Sequence, residues 1–233
     1  MGKYIQPLTM LTCFGVLLLL SCALPVKNPM VNIPREQWIT DWLEHPTCQP
    51  PCWENITVGT TTITETTSIL SNMPGVTTPG PVRNYMGNGR HIMWDFTGSQ
   101  SGAKALTNEG GSVIDRMYLA LDPNQIVRLE EVIQAYGSPD YVLVVGCYNG
   151  NWELECTVHL VYSKGLALEL AIQTRHDKVD IAPGSHIDRI RFFPSGIQGY
   201  EDILASTMLN FSEALIKWEG YAEYTYTVLQ QKP

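Results

Sequence analysis

The sequence predicts an α+β protein built from two tandem helix-plus-antiparallel-sheet repeats with a C-terminal helix. The main observation is an internal repeat, since GSVIDRMYL at residues 111–119 recurs as GSHIDRIRF at residues 184–192. Each segment follows a helix signal and several short apolar runs along the chain. A segment that recurs at corresponding places in two similar patterns indicates a duplicated unit, so we expect two copies of one supersecondary unit.

The first predicted repeat spans residues 51–122. Thr62 and Glu65 have the spacing of a capping box, which predicts a helix that ends before Pro74. Alternating apolar residues then predict three strands, at Arg83–Met86, His91–Thr97 and Val113–Leu121. Residues 98–111 are small and polar, and we interpret them as a mobile loop that holds at most one weak strand.

The second predicted repeat spans residues 123–195. Asp122 at an N-cap position and Pro123 directly after it predict the start of a helix, and Gly137 predicts its end. The apolar residues of this helix have helical spacing: Leu129, Val132, Ile133 and Tyr136. Four apolar runs then predict strands: Tyr141–Cys147, Cys156–Ser163, Leu166–Gln173 and His186–Phe193.

Residues 1–21 are predicted to be a lipoprotein signal peptide. Lys3 precedes an apolar run, Leu11–Leu20, that is too short to span a bilayer comfortably. The run ends in Leu-Leu-Ser-Cys, which resembles a bacterial lipobox and makes Cys22 the predicted lipidation site. The alternatives are an ordinary secretory signal cut nearby and an uncleaved anchor. Residues 22–50 would then form a spacer followed by a short amphipathic helix.

Residues 196–233 predict a long helix and a tail. Apolar residues recur there at steps of four and three: Leu204, Met208, Phe211, Leu215 and Trp218. Such a stripe packs either on the protein's own sheet or on a partner helix, and the first is favoured because most helices gain their stability from internal packing. Tyr224, Tyr226 and Val228 alternate near the end, which is typical of an edge strand.

The cysteines predict two disulfides and an oxidising compartment. Four remain when the signal peptide and Cys22 are set aside: Cys48, Cys52, Cys147 and Cys156. Four cysteines permit three connectivities. The favoured one joins Cys48 to Cys52 and Cys147 to Cys156, because the first pair is close in sequence and the second flanks a hairpin loop. A zinc site is the alternative, but Cys48 and Cys52 are not spaced as CxxC.

The chain is acidic, with a formal net charge of −8. Removal of residues 1–21 takes away one lysine and no acid, which leaves 14 basic and 23 acidic residues and a net charge of −9. We expect such a chain to have no basic patch for nucleic acid and to be repelled by anionic lipid apart from its anchor. These features predict a lipid-anchored protein on the extracytoplasmic face of the cell membrane.

No constellation of catalytic residues is evident from the sequence. It has no nucleophile elbow, no phosphate-binding glycine loop and no HExxH motif. The five histidines are scattered: His45, His91, His159, His176 and His186. His186 with Asp188, or His91 with Asp95, could form acid–base or metal pairs, although solvated surface histidines are favoured because little else converges. We therefore predict no catalytic residue, no metal site and no cofactor.

Short motifs in both predicted repeats match a known pattern. The matching residues are Gly59-Thr60-Thr61, Glu65 and Leu70 in the first repeat and Val132 with Tyr136-Gly137-Ser138-Pro139 in the second. With these residues the chain resembles small outer-membrane lipoproteins of the SmpA/BamE type and the tandem-repeat fold of β-lactamase inhibitory protein. The first repeat departs from the pattern, since Met73-Pro74-Gly75 stands where Gly-x-Pro is expected. The resemblance covers residues 56–193 and implies protein binding rather than catalysis. The segment PTCQPPCWENITVGTTT also resembles uncharacterised exported bacterial lipoproteins, which carry no known activity to transfer.

Strand alternation predicts the binding surface. In the two recurring segments one set of residues would face the core: Met117, Leu119, Ile190 and Phe192. The opposite set would face outward: Arg116, Tyr118, Arg189 and Arg191. Arginine and tyrosine are frequent anchors of protein interfaces, so we expect this face to bind an acidic or aromatic protein partner. The alternative is that it is simply the wet side of a half-buried sheet.

Two classes of function follow from these observations. The favoured one is a lipid-anchored envelope protein that acts as a protein-binding or scaffold module, with an envelope protein as its partner and no nucleic acid. The alternative is a small hydrolase of the cell envelope with an unrecognised site. A pocket that joins titratable residues would favour the hydrolase, and a broad sheet face would favour binding.

Overall fold

The computed structural model describes five stretches of the chain: residues 35–85, 89–150, 153–174, 178–200 and 215–225. Of residues 145–150 and 153–154 it describes the backbone alone. All five stretches belong to one compact unit, Pro34–Pro233. Three predicted features lie outside the described residues: the signal peptide, the lipidation site Cys22, and the helical stripe residues Leu204, Met208 and Phe211.

The described residues form thirteen strands. They are β1 (Cys52–Trp53), β2 (Ile56–Thr57), β3 (Arg83–Tyr85), β4 (Gly89–Asp95), β5 (Gly102–Thr107), β6 (Ile114–Ala120), β7 (Tyr141–Gly150), β8 (Glu153–Tyr162), β9 (Leu166–Thr174), β10 (Lys178–Asp180), β11 (Arg189–Phe192), β12 (Ile216–Lys217) and β13 (Glu223–Thr225). Nine of them make one sheet in the order β12-β7-β8-β9-β11-β6-β5-β4-β3. The strands β1 with β2, and β10 with β13, form two separate small sheets.

The predicted fold class is wrong. The protein is mostly one antiparallel sheet with short helices, not two helix-plus-sheet repeats. The reason lies at the centre of the sheet, where the two recurring segments β6 and β11 pair directly and Arg191 stands opposite Tyr118. This pairing satisfies the backbone N–H and C=O groups at the inner edge of each half. The strands of both halves, including β3 to β9, therefore belong to one sheet.

Three helices have both ends within the described residues: α1 (Gln37–Glu44), α2 (Ile63–Ser71) and α3 (Leu129–Tyr136). The first is the predicted amphipathic helix and buries Ile39, Trp42 and Leu43. The second begins at the predicted capping box: Thr62 Oγ1 accepts from the backbone N–H of Glu65 at 3.2 Å, and the Glu65 carboxylate accepts from the backbone N–H of Thr62 at 2.8 Å.

Helix α3 begins later than the sequence predicts. Its N-cap is Arg128 rather than Asp122, whereas Gly137, with a φ of +80°, ends it as expected. The Asp122 carboxylate instead accepts hydrogen bonds from the backbone N–H groups of Asn124, at 2.8 Å, and Gln100, at 3.0 Å. The aspartate therefore closes a turn and hydrogen-bonds it to the residues before β5. Aspartate is common in such turns as well as at helix N-caps.

Strand β5 corrects the interpretation of residues 98–111 as a mobile loop. It pairs with β4 on one edge and β6 on the other, so it is an inner strand of the sheet. Its Ala103 and Ala105 are 7% and 0% exposed. Alanine, glycine and lysine have low intrinsic strand propensity, so the local sequence carries little strand signal. The hydrogen bonds of both neighbouring strands override that propensity.

The apolar core lies between the helices and one face of the nine-stranded sheet. The residues predicted to face inward, Met117, Leu119, Ile190 and Phe192, are each 0% exposed, which confirms the strand alternation. They pack in one cluster with the buried residues of α1, α2 and α3. We call the opposite side of the sheet the outer face.

Part of the outer face is covered by the chain that follows β11. A second buried cluster lies there: Leu143, Val161, Ala167, Phe193 and Tyr200. The first three belong to β7, β8 and β9, and the last two belong to residues 193–200, of which residues 197–200 are helical. The rings of Phe193 and Tyr200 lie 5.1 Å apart. The outer side of β7–β9 is therefore a second core layer.

The predicted C-terminal helix does not include Leu215 or Trp218. These residues flank β12, whose Ile216 pairs with Val142 of β7, so the extended backbone is held by the open edge of that strand. Tyr224 lies in β13 and pairs with Val179 of β10, which confirms the strand prediction at that residue. The other two residues of that prediction, Tyr226 and Val228, lie outside the described residues.

One of the two predicted disulfides is confirmed. Cys48 and Cys52 are bonded, with their Cα atoms 5.7 Å apart. Cys156 is also disulfide-bonded, and Cys147 stands directly opposite it in the register of β7 and β8. The pairing of these two cysteines stays a prediction, because the side chain of Cys147 is outside the described part of the structure.

Candidate protein-binding face of the sheet

The four predicted partner-binding residues lie on the outer face, on the neighbouring strands β6 and β11. Each side chain is partly exposed, with values of 20% for Arg116, 42% for Arg189 and 18% for Arg191. Tyr118 stands opposite Arg191, and the Arg191 guanidinium lies 4.9 Å from the centre of the Tyr118 ring. The predicted orientation is therefore correct, and the binding role stays a prediction.

Glu169 of β9 joins the two β11 arginines, and sequence reasoning missed it. Arg189 Nη1 donates to Glu169 Oε1 at 2.8 Å, and Arg191 donates to Oε2 from Nε at 2.8 Å and also from Nη2. Burial opposes ionisation, but the nearby His159 ring and the charges of the two arginines outweigh it and lower the pKa of Glu169 to about 2. A single acid inside the apolar strand LALELAIQ is the signal that could have revealed it.

Behind Glu169 the polar contacts continue into a buried pair. His159 is 2% exposed, and its Nε2 lies 3.6 Å from Glu169 Oε2. The Tyr200 hydroxyl is hydrogen-bonded to His159 Nδ1, as expected for a neutral imidazole that carries its proton on Nε2. Burial lowers the pKa of His159 and raises that of Tyr200. Both groups therefore stay uncharged at neutral pH and link the covering residues to the exposed arginines.

Arg116 lies beside its chain neighbour Asp115. Arg116 Nε is 3.5 Å from Asp115 Oδ1, a separation of an ion pair rather than of a hydrogen bond. Burial raises the pKa of Asp115, and the charge of Arg116 opposes that shift. These two consecutive residues lie side by side because β6 has a bulge here: Thr107 pairs with Ile114 and Leu106 pairs with Arg116, which leaves Asp115 without a partner in the register.

Further cations, not predicted from the sequence, lie next to these residues. Lys104 of β5 stands opposite Tyr118, and its Nζ lies 4.2 Å from the centre of the Tyr85 ring on β3. Arg191, Tyr118, Lys104 and Tyr85 thus form a row of alternating cations and aromatic rings across the sheet. Lys104 was overlooked because its strand was interpreted as a loop.

We call the open part of the outer face the basic face. It consists of Arg83, Tyr85, His91, Lys104, Arg116, Tyr118, Arg189 and Arg191. Among the described residues, two carboxylates form ion pairs with its five arginine and lysine side chains, and neither Lys104 nor Arg83 has such a pair. A local excess of positive charge therefore exists on a chain of net charge −8.

The titrating groups of the basic face respond to this excess. Burial and the charges of Lys104 and Arg83 lower the pKa of His91. Burial and the charge of Arg116 lower the pKa of Lys104. A cation lowers the pKa of a neighbouring base because it repels the base's protonated form. The shifts at His91 and Lys104 therefore indicate a positive electrostatic potential across this face. An acidic net charge thus does not exclude a local group of cations, and the expectation that the chain binds no nucleic acid stays a prediction.

The two histidine–aspartate pairs considered in the sequence have ordinary surroundings. His186 Nδ1 lies 3.9 Å from Asp188 Oδ1, but its Nε2 is bonded to the Gln125 carbonyl oxygen at 2.9 Å. Asp188 accepts from the backbone N–H of Ala171 at 2.7 Å. His91 packs edge-on against the Tyr85 ring. Within the described ranges no three His, Cys, Asp or Glu side chains are grouped as metal ligands.

No family model matches the chain, and comparisons with curated proteins and with solved structures find no match. The resemblance to SmpA/BamE-type lipoproteins and to the inhibitory-protein fold therefore stays a prediction. In the described part of the chain, no helix has both the length and the apolar character required to span a bilayer.

Proposed function

We propose that the protein is a lipid-anchored binding module of the cell envelope whose basic face docks an acidic segment of a partner protein. The observation that carries this proposal is the row of Arg191, Tyr118, Lys104 and Tyr85 beside the charge of Arg83, which has no ion pair with any residue that the structure describes. Arginine and tyrosine are enriched among residues that dominate interface energetics. Unpaired cations on a rigid sheet favour acidic segments and repel basic ones.

The arginines of β11 have a different role in this proposal from Lys104 and Arg83. Glu169 already neutralises part of the charge of Arg189 and Arg191 and holds their guanidinium groups in place. Preorganised side chains lose less conformational entropy on binding. Lys104 and Arg83 supply the free charge, so they are the residues to test first.

The binding test uses a fluorescent copolymer of glutamate and tyrosine as the acidic probe. Reversal of both free charges, Arg83→Glu with Lys104→Glu, should weaken binding at least about tenfold at low salt, because the interaction is mainly Coulombic. Fluorescence anisotropy measures the affinity. Lys217→Glu is the matched control, since Lys217 is an exposed cation of the edge strand β12. Equal affinity of the folded double variant and the native protein would refute the proposal.

A physiological partner should show the same dependence. Chemical cross-linking in intact cells, followed by mass spectrometry, should join an envelope protein to the native chain through the basic face and fail with the double variant. The cross-linked segment of that partner should be acidic. A partner that is captured equally by the double variant binds elsewhere on the molecule.

The anchor is tested separately at Cys22. Cys22→Ser should move the exported protein from the membrane fraction to the soluble fraction, because that cysteine supplies the proposed lipid site. Fractionation followed by immunoblotting measures the change. Retention of the variant in the membrane would point to an uncleaved signal segment instead. The envelope hydrolase stays the alternative function: Glu36, Asp41 and Glu54 do line one pocket, but no serine, cysteine or histidine is among the described residues that line it.

A further inference from the structure

A pocket forms where four distant segments of the chain meet. Its cavity volume is about 360 Å³. It is lined by the start of α1, the turn between β1 and β2, the chain after α2, and the end of β4, and its residues include Glu36, Trp38, Asp41, Trp53, Glu54 and Phe96. Cavities of this size accept small ligands or single side chains.

The walls of the pocket are aromatic. The Trp38 and Phe96 rings stack with their centres 4.4 Å apart, and Trp53 meets both rings edge-on, at 6.5 Å and 6.1 Å. Trp53 is 2% exposed, so packing on both sides holds the cluster rigid. Its indole Nε1 has no hydrogen-bond partner among the described residues. That nitrogen is itself buried, so the pocket offers ring surface at Trp53 and not an accessible donor.

The charged lining residues of the pocket are all acidic: Glu36, Asp41 and Glu54. Glu36 is held firmly, because its Oε2 accepts from Trp38 Nε1 at 2.5 Å and its Oε1 accepts from the Ser101 hydroxyl at 2.9 Å. Burial and the nearby charge of Asp41 raise the pKa of Glu54. Two carboxylates that repel each other in partly dry surroundings are stabilised by a cation placed between them.

The combination of rings and carboxylates selects a class of ligand. An anion is repelled by the carboxylates, and a bare metal ion needs a tighter group of ligands than the described residues provide. An organic ammonium ion satisfies both features, since its alkyl groups pack on aromatic faces and its charge meets carboxylates. We propose that this pocket binds an organic ammonium ion.

The first experiment is a tryptophan fluorescence titration of the folded protein. Choline is the probe, and its uncharged isostere 3,3-dimethylbutan-1-ol is the control. Choline should produce a saturable change with a dissociation constant of about 1 mM, as expected for a ligand of so few atoms. The uncharged isostere should bind at least about tenfold more weakly, because it lacks the cation–π and ionic contacts. Equal binding of both compounds, or of neither, would overturn the proposal.

Variants locate the binding. Glu54→Gln and Asp41→Asn should each weaken choline binding about fivefold or more by removal of one charge. Glu44→Gln is the matched control, since Glu44 is an exposed acid at the end of the same helix as Asp41 and does not line the pocket. Undiminished binding by both pocket variants would place the ligand elsewhere and reject the assignment.

The native protein offers a second measurement that needs no variant. Because a bound cation favours the charged form of Glu54, the affinity for choline should fall as pH decreases through the raised pKa of that residue. Constant affinity between pH 7 and pH 4 would contradict the proposal.

A parallel titration with Nα-acetyl-lysinamide distinguishes two possible sources of the ammonium group. Tighter binding of this probe than of choline would indicate that the natural ligand is a lysine side chain of a peptide. Tighter binding of choline would indicate a small free ligand.

Discussion

The two halves of the outer face obey the same strand alternation but have opposite surroundings. Beside β7, β8 and β9 the outward residues are apolar and buried under residues 193–200, as Val161 and Ala167 show with 0% exposure each. Beside β3–β6 the outward residues include cations and aromatic rings, and Met93 is 54% exposed, although Leu106 in the same row as His91 and Arg116 is 2% exposed. Strand alternation therefore determines which side chains point away from the main core. The return of the chain over the sheet determines which of them meet solvent.

The border between the halves is the polar group around Glu169. On one side the carboxylate binds the partly exposed Arg189 and Arg191, and on the other it faces the buried His159. Tyr200 connects this group to the covering residues. Loss of the cover should therefore affect the whole protein, whereas changes on the open half should affect binding alone.

The largest effect is expected for removal of a covering ring. Phe193→Ala should lower the free energy of unfolding by about 3–5 kcal/mol, because Phe193 is 0% exposed and its loss leaves a cavity. Met93→Ala, an apolar truncation on the open half, should change the free energy of unfolding by no more than about 0.5 kcal/mol. Urea denaturation measures both values. Similar values for the two variants would show that the halves do not differ in packing.

The next largest effect is expected at the border. Glu169→Gln leaves Arg189 and Arg191 without their carboxylate partner and should lower the free energy of unfolding by about 3 kcal/mol, as loss of one member of a largely buried ion pair does. Glu130→Gln is the control, because Glu130 forms an exposed ion pair of 3.6 Å with Arg128. Exposed pairs contribute less than about 1 kcal/mol. Urea denaturation curves that coincide for the two variants would show that the ion pairs of Glu169 contribute no more to stability than an exposed pair.

The same carboxylate predicts a pH dependence. The folded-state pKa of Glu169 is about 2, below its unfolded value, so the stabilisation is present above pH 4.5 and is lost as pH falls toward 2. Native protein should therefore lose stability over that window, on the order of 1–2 kcal/mol from this group, because solvent screens part of its interaction with the arginines. Glu169→Gln should have a shallower pH profile than the native protein. If thermal unfolding at several pH values gives parallel profiles for the two proteins, Glu169 does not cause the pH dependence of stability.

The smallest effect on stability is expected on the open half. Lys104→Gln should raise the pKa of His91, because it removes one of the cations that lower it. NMR titration of the His91 ring protons measures this change, and Lys217→Gln should leave it unaltered. A depressed histidine pKa contributes stability above its unfolded pKa that is lost as pH falls, so the variant should lose slightly less stability on acidification. An unchanged His91 pKa would show that the basic face has no shared potential.

Much of the local structure could be predicted because it depends on neighbours in sequence. The capping box of Thr62 and Glu65, the helix end at Gly137 and the disulfide Cys48–Cys52 are each confirmed, and each involves residues within one or two turns of chain. The start of α3 was predicted too early, and β5 was expected at most as one weak strand in a mobile loop. There a contact with a distant segment, such as that of Asp122 with Gln100, replaced the local preference.

The candidate site was predicted in part. Period-two alternation was sufficient to place Arg116, Tyr118, Arg189 and Arg191 on one face, because the pleat alone sets that orientation. Glu169 and Lys104 could not be placed beside them without the strand order, since they come from β9 and β5. The fold class was wrong for the same reason: recurring segments show similar local structure but not that their edges pair.

By itself the sequence determined the faces of its strands, the local caps and the residue types available for a binding surface. These follow from backbone geometry, which acts over a few residues. Only the tertiary structure decided that β6 pairs with β11, that residues 193–200 cover one half of the outer face, and that Trp38, Glu54 and Phe96 line one pocket. Such contacts join residues far apart in sequence, and their free energy depends on burial and charge that exist after the chain has folded.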